Sequence, residues 1–249
     1  NGKDDVAAKL TQRVNEAAPG TKLVLEKVAD GDLSSGFTWH FEVEGQQGIG
    51  LRGTTFFSLN SDGKINYVRE VAEPLFKPGG ATAALLKAVA ENSMKNGEIS
   101  ITEKPAVVTR VPVDAEDMVN YLWRESNGGD MNLALNVFDD DIIYEDFNFP
   151  AQFLGKDQVR EFLKEFDIPG ITFVPEEISQ GKTRCCFTWR VEIAGIEKAT
   201  KGVSFYEIDP DTKKVIYVRD IPEPAIKPPP LQTLASKLRP GIRRFSPLE

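Results

Sequence analysis

The chain has 249 residues, 41% of them hydrophobic and 27% charged, with a formal net charge of -8. That acidity excludes a nucleic-acid binder that works by neutralising phosphates with lysine and arginine. No apolar run approaches the roughly 20 residues a membrane-spanning helix needs, so the class is a globular chain of about two domains by length. The opening Asn1-Gly2-Lys3-Asp4-Asp5 does not have the pattern of a signal or transit peptide.

Taken in order, Asp4 to Val14 has the spacing of a short amphipathic helix, ended by Pro19-Gly20. Leu23 to Val28 is a β-branched, apolar strand candidate. Gly36 to Glu44 alternates strictly, with Phe37, Trp39, Phe41 and Val43 on one face and Thr38, His40, Glu42 and Glu44 on the other. This predicts a half-buried strand with an aromatic inner face, covered by helices, and a wet outer face. Gly53 to Leu59 and Ile65 to Val71 make two more strands around the hairpin turn Asn60-Ser61-Asp62-Gly63. A proline-rich elbow, Glu73-Pro74 and Lys77-Pro78-Gly79-Gly80, ends pairing, and Ala81 to Asn92 is helical. Gly97 to Val113 reads as an extended connector.

Asp114 then caps a helix through Met118, Tyr121 and Leu122, and Met131 to Val137 suits a second. Asp139-Asp140-Asp141 leads into the strand Ile142 to Asp146, followed by the loop Pro150 to Gly155 and a helix from Lys156 to Phe166. Beyond it the chain repeats itself. Tyr67-Val68-Arg69-Glu70 with Glu73-Pro74 and Lys77-Pro78 returns as Tyr217-Val218-Arg219-Asp220 with Glu223-Pro224 and Lys227-Pro228. Phe37-Thr38-Trp39 returns as Phe187-Thr188-Trp189, Pro19-Gly20 as Pro169-Gly170, and Gly53 with Phe56 as Gly202 with Phe205. Ordered self-similarity occurring only twice predicts two copies of one domain. The expected layout is residues 1–95 for the first copy, 96–112 for a linker, 113–230 for the second copy and 231–249 for a basic-apolar tail. The first copy lacks the helix-helix-strand that opens the second, which leads to the expectation that the natural protein extends upstream of Asn1; the alternative is a degenerate first copy covered by another element or partner.

The second copy's order of two helices, a Tyr144-Glu145-Asp146 strand, Gly155-Lys156 opening a helix, then Phe187-Thr188-Trp189, Gly202 to Phe205 and Lys214 to Asp220 resembles the SnoaL-like, nuclear-transport-factor-2-like superfamily. The resemblance implies an α+β fold of two cone-shaped domains, each a bent antiparallel sheet wrapped on helices around a pocket. The doubled phrase further resembles tandem plastid proteins of plants and algae, which implies a plastid location. The superfamily includes ketosteroid isomerase, polyketide cyclases and epoxide hydrolases, which use pocket carboxylates as acid or base.

On that basis Asp220, near the end of the last strand, is the candidate catalytic acid, with Tyr217 and Arg219 as partners; the commoner arrangement is an Arg-acid pair stitching the sheet rim. The candidate ligand pocket is Trp39, Phe41, Tyr144, Trp189 and Phe205, residues that are otherwise ordinary core. No metal or cofactor is expected. His40 is the only histidine and has no second ligand at metal spacing, the Asp139 run lacks the spacing of a calcium loop, and no phosphate loop or nucleophile elbow is present. Cys185 and Cys186, strand neighbours pointing to opposite faces, are expected as buried thiols in a reducing compartment.

The paired residues shape a fold, whereas possible reacting groups differ, His40 against Arg190 and Ser58 against Glu207. This favours a non-catalytic binding or assembly module, a peripheral subunit or assembly factor of a plastid complex. The alternative is an isomerase, cyclase or hydrolase acting on a hydrophobic small molecule in the second copy's pocket. Lys237, Arg239, Arg243 and Arg244, interleaved with Leu231, Leu234, Leu238 and Ile242, read as a docking strap for an anionic partner or membrane surface.

Overall fold

The computed structural model describes residues 2–46, 48–97, 110–126, 135–193 and 196–223, the side chains of 196–199 excepted. The expected linker thus lies mostly outside the described residues. So do most of the helix expected at Met131 to Val137, the second Glu-Pro and Lys-Pro elbow and the whole basic tail. The fold is α+β, with two sheets and few helices. Helix α1 (Lys3–Glu16) precedes β1 (Thr21–Val28), β2 (Ser34–Val43), β3 (Arg52–Leu59) and β4 (Ile65–Ala72), which form an antiparallel meander in that order. Helix α2 (Ala81–Lys95) follows. Helix α3 (Ala115–Asn120) continues into a π-helical turn, Tyr121–Glu125, and then come β5 (Phe138–Asp146), β6 (Phe153–Leu154) and α4 (Lys156–Phe166). Strands β7 (Ile171–Ile178), β8 (Arg184–Ile193), β9 (Ile196–Ile208) and β10 (Val215–Pro222) complete a six-stranded sheet of order β6-β5-β10-β9-β8-β7. Only its β5–β10 pair is parallel. Among the described residues no helix is long and apolar enough to cross a membrane.

The two meanders share a register. Trp39 pairs with Gly53 as Trp189 pairs with Gly202, and a β-bulge interrupts β1 near Glu26 as one interrupts β7 near Glu176. At both glycines a Cβ would lie 2.2 Å from the indole Cζ2 of the paired tryptophan, so each glycine leaves the room its ring occupies.

The sheets stack face to face, and the contact is reciprocal. Arg219 pairs with Glu26 at 2.6 Å, and Arg69 pairs with Glu176 at 3.2 Å. Both glutamates sit at the bulges, which turn their carboxylates toward the opposite sheet. Between the sheets lie Phe56, Val71, Phe147, Cys186, Val203, Phe205, Tyr217 and Ile221. On its other side the six-stranded sheet packs Ile142, Tyr144, Phe187, Trp189, Val191, Tyr206 and Val218 against Met118 and Val119 of α3 and Val159 and Phe162 of α4.

This arrangement corrects one expectation about β2. Its polar face is wet only toward its end: Glu42 and Glu44 are exposed, but Thr38 and His40 are buried, and His40 Nδ1 lies 3.0 Å from Glu26 Oε1. A second sheet, not solvent, covers Thr38 and His40, and side-chain hydrogen bonds satisfy both. On the aromatic face Trp39 is buried, with Phe37 and Phe41 half-buried on either side of it. Cys185 and Cys186 are both free and buried, one in each core, as alternation along β8 requires.

Candidate functional site

The helix-facing side of the six-stranded sheet carries two carboxyl groups side by side. Asp146 ends β5, Asp220 lies near the end of β10, and the two residues are register partners in the parallel pair. Alternation puts Tyr144, on β5, and Ser204, on β9, on the same face. Tyr144 Oη donates to Asp220 Oδ2 and Ser204 Oγ donates to Asp220 Oδ1, while Trp189 Nε1 donates to Ser204 Oγ at 2.7 Å. A second indole, Trp123 in the π-helical turn, donates to Tyr206 Oη at 3.1 Å. Its ring stands edge-on to Phe187 with centroids 4.8 Å apart and also meets Phe173, Trp189 and Tyr206.

Burial governs the electrostatics. Asp220 is buried, and desolvation raises its pKa to about 6, although the hydrogen bonds from Ser204 and Tyr144 favour its anion. Asp146 is pushed up to about 7, first by desolvation and then by the charge of Asp220; the backbone N–H of Asn148, 2.7 Å from Oδ1, opposes this only in part. Burial also drives the hydroxyls of Tyr144 and Tyr206 far above their ordinary range, so both stay protonated donors. The two acids differ in access. Asp146 lines an open cleft of about 290 Å³ together with Arg52, Glu145, Phe147, Phe149, Pro150, Ala151 and Gln152. Asp220 lies behind it with both oxygens engaged.

Of the residues the sequence singled out, Asp220, Tyr144 and Trp189 come together here. Tyr217 and Arg219 do not: they project from β10 into the space between the sheets. Tyr217 Oη donates to Glu145 Oε2 at 2.5 Å, Arg219 Nε to the same oxygen at 2.7 Å, and Arg52 Nη1 to Glu145 Oε1 at 2.7 Å. Arg219 is therefore a tie between sheets, not a partner of Asp220, because neighbours on a strand point opposite ways. Phe205 is likewise between the sheets, and Trp39 and Phe41 are on the outer face of the first sheet, away from Asp220. Lys237, Arg239, Arg243 and Arg244 lie outside the described residues.

Sequence reasoning passed over three members of the site: Asp146, Ser204 and Trp123. Trp123 had a usable signal, since it follows Val119 by four residues and so lies near the same helical face. Trp39 repeats the relay of the second sheet on the first: its Nε1 donates to Thr55 Oγ1 at 3.0 Å, and Thr55 Oγ1 reaches Glu70 Oε2 at 3.4 Å. By register Thr55 corresponds to Ser204 and Glu70 to Asp220. Among the described residues no group of three or more histidine, cysteine, aspartate or glutamate side chains is arranged to hold a metal ion.

Residues 119–217 match the family model described as a SnoaL-like domain, so the chain holds one such domain there. No curated protein matches the chain. Solved structures with similarity include an NTF2-like protein of unknown function from Cytophaga hutchinsonii, 12% identical, with 49% of this chain and 95% of that one covered and a TM-score of 0.36. A protein of unknown function with a cystatin-like fold from Nostoc punctiforme is 14% identical over 49% of this chain and 98% of its own, with a TM-score of 0.38. An epoxide hydrolase/cyclase-like enzyme of pyran ring formation in salinomycin is 17% identical over 43% of this chain and 88% of its own, with a TM-score of 0.36.

Proposed function

We propose that residues 113–230 form an acid–base catalyst, an isomerase, cyclase or hydrolase acting on a hydrophobic small molecule. The observation that carries this reading is the pair of buried carboxyls poised near neutrality, one of which opens on a cleft. A proton-transfer group works best when its pKa lies close to the operating pH. Asp146 is the candidate catalytic residue: near pH 7 it exists in both forms and can give a proton to, or take one from, a group seated in the cleft. Asp220 is a positioning residue that acts through Asp146. Tyr144 and Ser204 stabilise its anion, and its charge keeps the Asp146 proton in place. Phe147, Phe149 and Pro150 supply an apolar wall for the rest of the ligand.

The test follows α-proton exchange of apolar ketones in D2O by NMR. Exchange should be catalysed by the chain, abolished by D146N and shifted in pH profile by D220N. Catalysed exchange that survives D146N would rule out the assignment.

A second reading, a non-catalytic binding or assembly module, draws support from the filling of the helix-sheet interior by Trp123, Phe187, Trp189 and Tyr206. Its plastid setting and the docking role of the 231–249 tail rest on sequence alone. Recovery of the chain with partners from plastid membranes at low salt, and its release at high salt, would favour it.

We further infer that residues 1–95 and 113–230 are two copies of one unit. The reciprocal pairs Arg219–Glu26 and Arg69–Glu176, and the meeting of the corresponding positions Gly36 and Cys186, support isologous packing of related halves.

A further inference from the structure

Among the described residues, the first sheet lacks what the second has over its corresponding face. On the second, Ala115 N donates to Lys182 O at 2.9 Å and Glu116 N to Gly181 O at 3.0 Å, which anchors the start of α3 on the β7–β8 loop. Seven residues beyond Glu116, Trp123 drops onto Phe173, Phe187, Trp189 and Tyr206. By register the same positions on the first sheet are Leu23, Phe37, Trp39 and Phe57. Here the floor is present, with Trp39 itself buried and Phe37 and Phe57 half-buried, but among the described residues no ring takes the place of Trp123 on it. Leu23 and Leu25 are 49% and 51% exposed, and Val68 is 55% exposed. Helix α1 reaches this face through the Arg13–Glu70 ion pair at 2.6 Å but buries none of its own side chains, and its Val6, Leu10 and Val14 also face solvent. The anchoring point is open as well. The carbonyls of Gly31 and Asp32, which correspond to those of Gly181 and Lys182, accept no hydrogen bond among the described residues.

We propose that this face is the docking site of a partner helix whose chemistry repeats that of residues 114–125. Its first-turn N–H groups would settle on the Gly31 and Asp32 carbonyls, and a large apolar ring about seven residues further on would pack on the half-buried Phe37 and Phe57 beside the exposed Leu23, Leu25 and Val68. One difference sets the side chain. Trp123 donates to the Tyr206 hydroxyl, but the corresponding residue is Phe57, which has no acceptor, so an indole N–H would be buried unpaired. The site therefore takes phenylalanine or leucine in preference to tryptophan. Contiguous exposed apolar surface next to an unfilled polar anchor is what a helix-in-groove site presents before its partner arrives.

The probe is a stapled peptide of residues 114–126 carrying W123F, titrated against the full-length chain by fluorescence anisotropy. The expected result is saturable binding, weakened at least tenfold by L25E or V68E in the chain, both exposed positions whose variants should keep the native circular dichroism spectrum. Replacing the ring in the peptide by alanine should weaken binding by a similar factor, and restoring tryptophan should weaken it less. Three outcomes overturn the proposal. One is no binding to a folded chain, or binding indifferent to L25E. Another is a chain dimer that L25E dissociates, which would make a second copy the occupant. The third is peptide binding that appears only in an L234E/L238E variant, which would make the chain's own tail the occupant.

Discussion

Replacing Asp146 by asparagine should stabilise this protein at neutral pH while leaving it almost unaffected in acid. The folded chain holds the Asp146 proton to about pH 7, whereas an unfolded aspartate releases it near its ordinary value of 3.8. Between those values the native state binds more protons than the unfolded state, so wild-type stability falls as pH rises through this window. From pH 5 to pH 7 that is about two pH units, or roughly 3 kcal/mol at ~1.4 kcal/mol per unit. Asparagine keeps the Oδ1 that accepts from Asn148 N and carries no charge, so it removes the penalty without losing the bond. Asp220, raised to about 6 by burial, also titrates in this window, but it does so in both proteins and its own contribution drops out of the difference between them. Desolvation works against the anions of Glu26, Glu73 and Glu207, but their arginine, lysine and histidine partners bring them below the ordinary range, and their contribution is complete above pH 5. Cys185, pushed up to about 12 by burial, acts only in alkali. Urea unfolding followed by tryptophan fluorescence at pH 5, 6, 7 and 8 should show the D146N-minus-wild-type difference widening by about 3 kcal/mol up to pH 7 and then levelling. Parallel curves for the two proteins would refute the reasoning.

Three other outcomes follow from the packing. Trp123→Ala should cost about 3–5 kcal/mol in urea unfolding, and the hollow it leaves on Phe187 and Trp189 should bind a small apolar probe such as benzene, detectable by NMR. Glu145→Gln removes the charge that Arg219 and Arg52 share and one of the two oxygens that accept from them, and should cost about 3–5 kcal/mol; adding Arg219→Met should recover part of it, as a double-mutant cycle would measure. Gly53→Ala and Gly202→Ala each drive a Cβ into a tryptophan ring, so both should lower the thermal midpoint by a similar amount. A harmless result at Gly53 would mean that the first sheet is more loosely packed than its register implies.

Most elements of the fold could be read from the sequence, because strand alternation and turn glycines are local properties. The helix expected over Asp4 to Val14 is α1, and the two meanders lie within a few residues of their expected bounds. Asp114 caps α3 as expected, its side chain accepting from Asp117 N at 2.8 Å. The two-residue strand β6 was hidden because it is too short to show alternation. The π-helical turn was hidden because a single added backbone residue leaves no compositional trace. The pairing of Asp146 with Asp220 was hidden for a different reason. It needs the parallel β5–β10 contact, which joins segments about seventy residues apart and is set by tertiary packing.

The face assignment shows why alternation alone does not identify a site. Period two says that Asp220, Val218 and Ile216 share one side of β10, and that Tyr217 and Arg219 share the other with Val215 and Ile221, although a bulge after Val215 turns that residue to the Val218 side. Both sides of that strand are rich in apolar residues, and a strand apolar on both sides is one buried on both sides. That reading, applied to Val215 to Ile221, calls for a cover on each face: α3 and α4 on one, another sheet on the other. Once both covers are required, the partners of Asp220 cannot be its chain neighbours, because Tyr217 and Arg219 belong to a different interior. They must come from strands beside it, and the polar residues that β5 and β9 place on its face are Tyr144, Asp146 and Ser204. The same logic applied to β2 runs the other way. Thr38 and His40 look solvent-facing because a polar face is usually a wet one, yet here each finds a partner across or within the sheets, Lys27 N for Thr38 and Glu26 for His40. A buried polar face built from satisfied groups gives no signal in composition; what reveals it is the opposite sheet's Arg219, a charge on a strand with no wet side.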